Sequence, residues 1–184
     1  MIRVGILGDI GSGKSYVANQ FGYPVFNADL EVSKLYKKNK KIFFKLKKKL
    51  PKYINTYPIN KKQITKAILS NKTNLKKIVN IVHKEVRKKM ESFIKKNKNK
   101  KIVILDIPLL LENKINSKGD ILVFIDSKKK EIEKRLVKRE NFNRKLFYKL
   151  KKIQYNSNYK KKSHILLLKI ISLKKMLTEI LEKF

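Results

Sequence analysis

Apolar residues follow two rhythms along the chain. Short continuous runs occur at Ile2 to Leu7, Ile102 to Leu105 and Ile121 to Ile125, the lengths and lack of alternation expected of strands buried on both faces. Elsewhere the apolar positions recur at helical spacing. Ser15 to Phe21 predicts a short helix stopped by Gly22 and Pro24, and Val25-Phe26 a short second strand ending at Asn27-Ala28-Asp29. From Leu30 to Asn99 the pattern is helical and lysine-rich. Its clearest element places Leu75, Ile78, Val79, Val82, Val86, Met90 and Phe93 on one stripe. Asn97 to Lys101 forms a polar hinge into the run that closes on Asp106. After Asp126-Ser127, one helix carries Ile132 and Leu136, and Asn143 caps a second with Leu146, Phe147, Leu150 and Ile153 expected to be buried. A last strand over His164 to Leu168 and a terminal amphipathic helix through Leu173, Met176, Leu177, Ile180 and Leu181 complete the reading.

Strands alternating with helices imply an α/β fold with a parallel sheet, right-handed crossovers and a ligand crevice at the carboxyl ends of the strands. The first such end carries Gly8-Asp9-Ile10-Gly11-Ser12-Gly13-Lys14-Ser15, which fits the phosphate-loop pattern G-x-x-x-x-G-K-[ST] between a strand and a helix. Glycines there let successive backbone N–H groups converge on phosphate oxygens, and the following helix adds its positive end. Lys14 reaches the β- and γ-phosphates in such a loop, and Ser15 holds Mg²⁺. A nucleoside triphosphate is therefore the expected ligand.

Composition narrows the class. With 184 residues the chain has room for one α/β unit carrying a helical insert. Cysteine is absent, which excludes disulfides, thiolate metal sites and cysteine nucleophiles. The run after Arg3 enters the phosphate loop too soon for a secretory core. Asp106 and Pro108 break one long apolar window and Lys169 another, so no membrane span is expected and a soluble cytoplasmic protein is the default. Charge adds less than its size suggests. Lys and Arg number 48 against 14 Asp and Glu, a formal +34. A polyanion partner would use such a field, but the lysines are spread along the chain with no aromatic-interleaved stripe, and heavy use of Lys, Asn and Ile has a simpler source in A/T-rich codons. No specific nucleic acid is expected; the field should concentrate anionic substrates.

Several residues could carry chemistry, each with a structural alternative. Asp106 stands where a strand-end carboxylate holds Mg²⁺ or its water ligands, or only caps the strand. Asp29 stands where a carboxylate can orient an attacking hydroxyl and accept its proton, or cap the next helix. Arg135, Arg139 and Arg144 form an arginine cluster in a lysine-rich chain, which suits bidentate phosphate recognition by a lid or a solvated helix face. His83 lies beside the long apolar stripe, as a substrate contact or a structural residue.

Taken in order, these segments resemble the dephospho-coenzyme A kinase family. Gly5 through Ser15 is similar to the family's G-L-T-G-G-I-G-S-G-K-S, Pro24-Val25-Phe26-Asn27-Ala28-Asp29 to P-V-I-D-A-D, and Asp106-Ile107-Pro108-Leu109-Leu110-Leu111-Glu112 to D-V-P-L-L-F-E. Lys134-Arg135, Arg139, Arg144 and Gln154 follow the spacing of its lid. The resemblance implies a P-loop kinase of three-layer α/β/α form with a five-stranded parallel sheet. Its core would be residues 1–29, 100–126 and 161–184, with a helical CoA-binding insert at about 30–99 and a lid at about 127–160.

It further implies ATP-dependent phosphorylation of the ribose 3′-hydroxyl of dephospho-CoA, with ATP and Mg²⁺. Gly11, Ser12, Gly13, Lys14, Ser15, Tyr16, Arg135, Arg139 and Arg144 would surround ATP; Ser15 and Asp106 would hold the metal. Asp29, His83, Pro108 and Leu109 would meet the acceptor, with Asp29, Lys14 and Arg139 catalytic. The alternatives are another small-molecule or nucleotide kinase of this fold and a basic nucleic-acid-binding P-loop protein. Nothing in the sequence assigns an oligomeric state. The chain departs from the family pattern at Asp9, Tyr16, Asn27, Lys84 and Lys160, and the family's C-terminal V-I-x-N-x-G is not evident in Ile165 to Ile171.

Overall fold

The computed structural model describes residues 1–108, 110, 115–117, 119–139 and 142–154, together with the backbone of 166–169. The predicted start of the last strand at His164-Ile165, the terminal helix, Leu109, Glu112 and Lys160 lie outside the described residues. The chain divides into two compact units, one formed by Met1–Asn27 with the chain from Asn97 onward, the other by Ala28–Lys96.

In the first unit the apolar runs become a parallel sheet in the order β2-β3-β1-β4-β5. The central strand β1 (Ile2–Gly8) pairs with β3 (Ile102–Asp106) on one side and β4 (Ile121–Asp126) on the other. Strand β2 (Val25–Asn27) flanks β3, and β5 (Leu166–Lys169) flanks β4. Every residue of β3 is buried, which is why its sequence shows no polar alternation. Helix α1 (Lys14–Gln20) turns Val17 and Ala18 inward, and these pack with Phe21 against Val4, Ile6, Ile102, Ile104, Val123 and Ile125. At the amino end of the sheet, Arg3 and Asp120 form an ion pair at 3.0 Å that fixes the start of β1 to the turn before β4. The carboxyl ends of β1, β2 and β3 bring Gly8, Asn27 and Asp106 to one edge.

Helix α6 (Lys129–Val137) follows β4 and buries Ile132 and Leu136, as their spacing predicts. Helix α7 (Arg144–Lys151) starts where expected, with Asn143 Oδ1 accepting from the Leu146 N–H at 2.8 Å. Its apolar face is different from the expectation. None of its residues is fully buried, and Ile153 beyond its end is exposed. The pattern specified an amphipathic helix, but Leu146, Phe147 and Leu150 stay half-buried, with Phe147 at the edge of a cleft.

The second unit is all helical: α2 (Ala28–Lys38), α3 (Lys40–Lys49), α4 (Lys61–Ser70) and α5 (Lys72–Lys96). Helix α5 packs against the other three, burying Ile78, Val82, Val86 and Met90 of the predicted stripe among residues such as Leu35, Ile42, Leu46 and Ile68. Asn39 caps α3, and Asn60 with Gln63 forms a reciprocal capping box at the start of α4. Ala28 and Asp29 belong to α2 and do not extend β2. Alanine favours helix, and a carboxylate in the first turn complements the helix's positive end, so both residues support an immediate helix start.

Candidate nucleotide-binding site

The loop between β1 and α1 takes the shape its glycines permit. Gly11 and Gly13 have φ of 88° and 94°, in the left-handed region that side chains oppose. A β-carbon on Gly11 would also stand 3.0 Å from Leu136 Cγ, so α6 lies directly against the loop. Lys14 curls back over this turn, its Nζ donating to the carbonyl oxygens of Gly8 at 3.0 Å and Asp9 at 2.8 Å. The Ser12 N–H also donates to the Asp9 carbonyl, at 3.0 Å. A strongly donating cation is thus poised at the loop mouth, held by carbonyls that a phosphate oxygen can outcompete.

Asp106 closes β3 beside this cation and is only 3% exposed. Pairing of β2 with β3 sets Asn27 opposite it, and Asn27 Nδ2 donates to Asp106 Oδ2 at 2.7 Å and lies 3.5 Å from Ser15 Oγ. Burial pushes the Asp106 carboxyl above its ordinary value, while its hydrogen bond with Ser15 and the charge of Lys14 pull it back. A hydroxyl and a carboxylate are hard oxygen donors. Mg²⁺ takes few protein ligands of this kind and completes its shell with water and phosphate oxygens. Ser15 and Asp106 therefore fit such a cation.

The segment after β4 braces the loop from its other side. Ser127 Oγ donates to the Ser12 carbonyl at 2.8 Å, and Arg135 Nη1 donates to the same oxygen at 3.1 Å. The Ile10 N–H donates to Gln154 Oε1 at 3.3 Å, across 144 residues of chain. Between these braces a cleft of about 410 Å³ opens, bounded by Asp9 and Ile10 of the loop, Ile132 and Leu136 of α6, and Arg144 and Phe147 of α7. Asp9, the unusual residue of the loop, therefore forms part of the cleft wall.

Of the residues singled out in the sequence, Gly11, Ser12, Gly13, Lys14, Ser15, Asp106 and Arg135 meet around one loop. Arg144 reaches the cleft. Arg139 lies past the end of α6 and is exposed, as is Tyr16 at 63%. Pro108 follows β3 half-buried. Asp29 and His83 belong to the helical unit: Asp29 is exposed in the first turn of α2, and His83 is half-buried on α5. Burial, and then the charge of Arg87, push the His83 imidazole below its ordinary value. Sequence reasoning assigned no role to Asn27 or Ser127. Asn27 is the polar last residue of β2, the same signal that marked Asp106, whereas Ser127 lies one residue past the end of β4.

Comparison with known proteins agrees with this geometry. The family model described as CoaE, Dephospho-CoA kinase, matches residues 2–169. A dephospho-CoA kinase of Wolbachia sp. subsp. Brugia malayi is 38% identical over 127 residues, 66% of this chain and 65% of that one, so the match spans slightly less than two thirds of the relative. A dephospho-CoA kinase of Bartonella quintana is 32% identical over 149 residues, 78% of this chain and 76% of its own. Among solved structures, TT1252 from Thermus thermophilus superposes with a TM-score of 0.80 at 24% identity, covering 100% of this chain and 97% of that one. The dephospho-CoA kinase from Campylobacter jejuni gives 0.63 at 20% identity, covering 98% and 96%. These two likenesses concern the fold. With a family model matched over residues 2–169 and relatives of this identity, the chain belongs to the dephospho-CoA kinase family.

Proposed function

We propose that the chain transfers the γ-phosphoryl group of ATP to the ribose 3′-hydroxyl of dephospho-CoA, forming coenzyme A and ADP. The observation that carries this reading is the convergence of Lys14, Ser15 and Asp106 at the carboxyl ends of β1 and β3, in a chain of this family. Loop amides and Lys14 hold the β- and γ-phosphates, while Arg135, Arg139 and Arg144 approach from the lid formed by α6, α7 and their flanks. Ser15 and Asp106 would hold Mg²⁺, which would supply charge neutralisation for the phosphates. Asp29 orients the 3′-hydroxyl and accepts its proton as the oxygen bonds to phosphorus and the bond to the leaving ADP breaks. His83, Pro108 and Leu109 contact the acceptor, for which the helical unit is the binding insert. Positioning and electrostatics of this kind supply most of the rate in phosphoryl transfer. A metabolic enzyme of this kind works in the cytoplasm, and no helix among the described residues is long and apolar enough to cross a membrane.

The test is formation of 3′-phosphorylated product by the purified chain with ATP, Mg²⁺ and dephospho-CoA. Lys14→Ala should lower kcat/KM about 10³-fold and Asp29→Asn about 10²-fold or more. Product from other nucleotides or small alcohols but none from dephospho-CoA would overturn the acceptor assignment.

A further inference from the structure

The Asn27 amide joins groups that the sequence keeps far apart. Its Nδ2 holds Asp106 Oδ2 at 2.7 Å, from a residue 79 positions away, and lies 3.5 Å from Ser15 Oγ. Asp106 is buried at the carboxyl end of a fully buried strand, so the hydrogen bond donated by the amide fixes the rotation of a carboxylate that little water reaches. An amide nitrogen can only donate and carries no charge. Of the three side chains Asn27, Ser15 and Asp106, only Asp106 therefore carries a carboxylate. An aspartate at position 27 would set a second carboxylate against the first across the span of that 2.7 Å hydrogen bond. Two such charges repel each other strongly and are relieved by a divalent cation. One carboxylate and one hydroxyl hold Mg²⁺ poorly by themselves, because the ion gives up its water reluctantly and needs further oxygens from the nucleotide.

We propose that Asn27 is a positioning residue that sets Asp106 and Ser15 for the cation and, by being neutral, makes cation binding depend on bound nucleotide. This rests on the phosphotransfer reading only in taking a metal–nucleotide complex as the ligand.

The test compares the full chain with Asn27→Ala and Asn27→Asp, using Mn²⁺ as the probe and its electron-spin resonance signal to count free ion, with and without ADP. Calorimetry measures ADP binding without metal, and melting curves report folding. The unmodified chain should bind Mn²⁺ at least about tenfold tighter with ADP than without it, because the phosphates supply the missing oxygens. Asn27→Asp should tighten nucleotide-free Mn²⁺ binding about tenfold, and Asn27→Ala should weaken ADP-dependent Mn²⁺ binding about tenfold while metal-free ADP affinity stays within about twofold. Parallel loss of metal-free ADP affinity and Mn²⁺ affinity in Asn27→Ala would reduce Asn27 to a structural residue of the loop and overturn the proposal. Unchanged nucleotide-free Mn²⁺ binding in Asn27→Asp would overturn it independently, and decides the matter if the alanine variant does not fold. These readouts measure binding, so failure to phosphorylate dephospho-CoA leaves them intact, whereas unchanged cation binding in a chain that forms product removes the Asn27 inference alone.

Discussion

Arg135 donates to the carbonyl oxygen of Ser12 at 3.1 Å, so a helix that follows the fourth strand grips the phosphate loop that follows the first. A β-carbon on Gly13 would have this same Nη1 as a neighbour at 3.6 Å. The guanidinium therefore stands over the loop. Arg135→Ala should raise the KM for ATP about tenfold, in keeping with a charge-assisted hydrogen bond of about 1.5 kcal/mol. Arg135→Lys should recover part of that, since it restores charge but not the planar fork. Steady-state kinetics at varied ATP checks both; an unaltered KM in Arg135→Ala would mean the contact does not reach the nucleotide.

Asp106 should trade stability for function. Its folded carboxyl lies above the ordinary value, so between the unfolded value and the folded one the native state binds more protons. Stability therefore falls as pH rises through that window and stays lower above it. Asp106→Asn removes the buried charge and retains an oxygen to accept from Asn27. It should raise the melting temperature of the ligand-free chain by about 1–3 °C at pH 7, with the gain shrinking toward pH 4, and lower activity about a hundredfold. Melting curves across pH and kinetic assays give the two halves separately.

Gly11 and Gly22 share a positive φ but not a neighbourhood. A β-carbon at Gly11 meets Leu136 Cγ at 3.0 Å and Ile132 Cγ2 at 3.1 Å, whereas Gly22 has nothing within 4 Å. Gly22→Ala should cost about 1 kcal/mol, the strain of the backbone alone, and leave ATP binding as it was. Gly11→Ala adds crowding against α6 and should cost about 2–4 kcal/mol while weakening ATP binding. Denaturant titrations of both variants decide whether the packing of α6 on the loop is as tight as the geometry states.

His83 titrates in the opposite sense to Asp106. Burial and Arg87 hold its imidazole below the ordinary value, so as pH falls past about 6.5 the unfolded chain takes up the proton first. Stability is lost from that pH downward until the folded imidazole also protonates. His83→Gln should flatten the melting temperature just below about pH 6.5 while changing it little at pH 8. A slope that persists in the variant would assign it to other groups.

Much of this was legible in the sequence because the relevant signals are local. A run such as Ile102 to Leu105 has only one way to hide both faces, and the glycines of Gly8 to Gly13 mark the loop that only they can build. The α5 stripe was equally plain, since Ile78, Val82, Val86 and Met90 each recur one turn on. What stayed hidden depends on pairing across the chain. The Asn27–Asp106 bond exists because β2 lies beside β3, and nothing near position 27 announces that neighbour. Helix α7 misled for a related reason: amphipathicity shows that a face is apolar, not how completely something covers it. Asp29 was placed at a strand end because Val25-Phe26 leads into it, yet Ala28 and its own carboxylate suit a helix start better.

The position of β1 has a consequence for how the site is lost. It is hydrogen-bonded along both edges, to β3 and to β4, and the phosphate loop is its direct continuation. Its strand cannot detach by fraying at a sheet margin; both ladders must open together. Amide hydrogens of β1 should then exchange only through whole-unit unfolding, and bound nucleotide should slow their exchange by the full increment it adds to global stability. The ability to grip phosphate would disappear with the sheet itself and not before it.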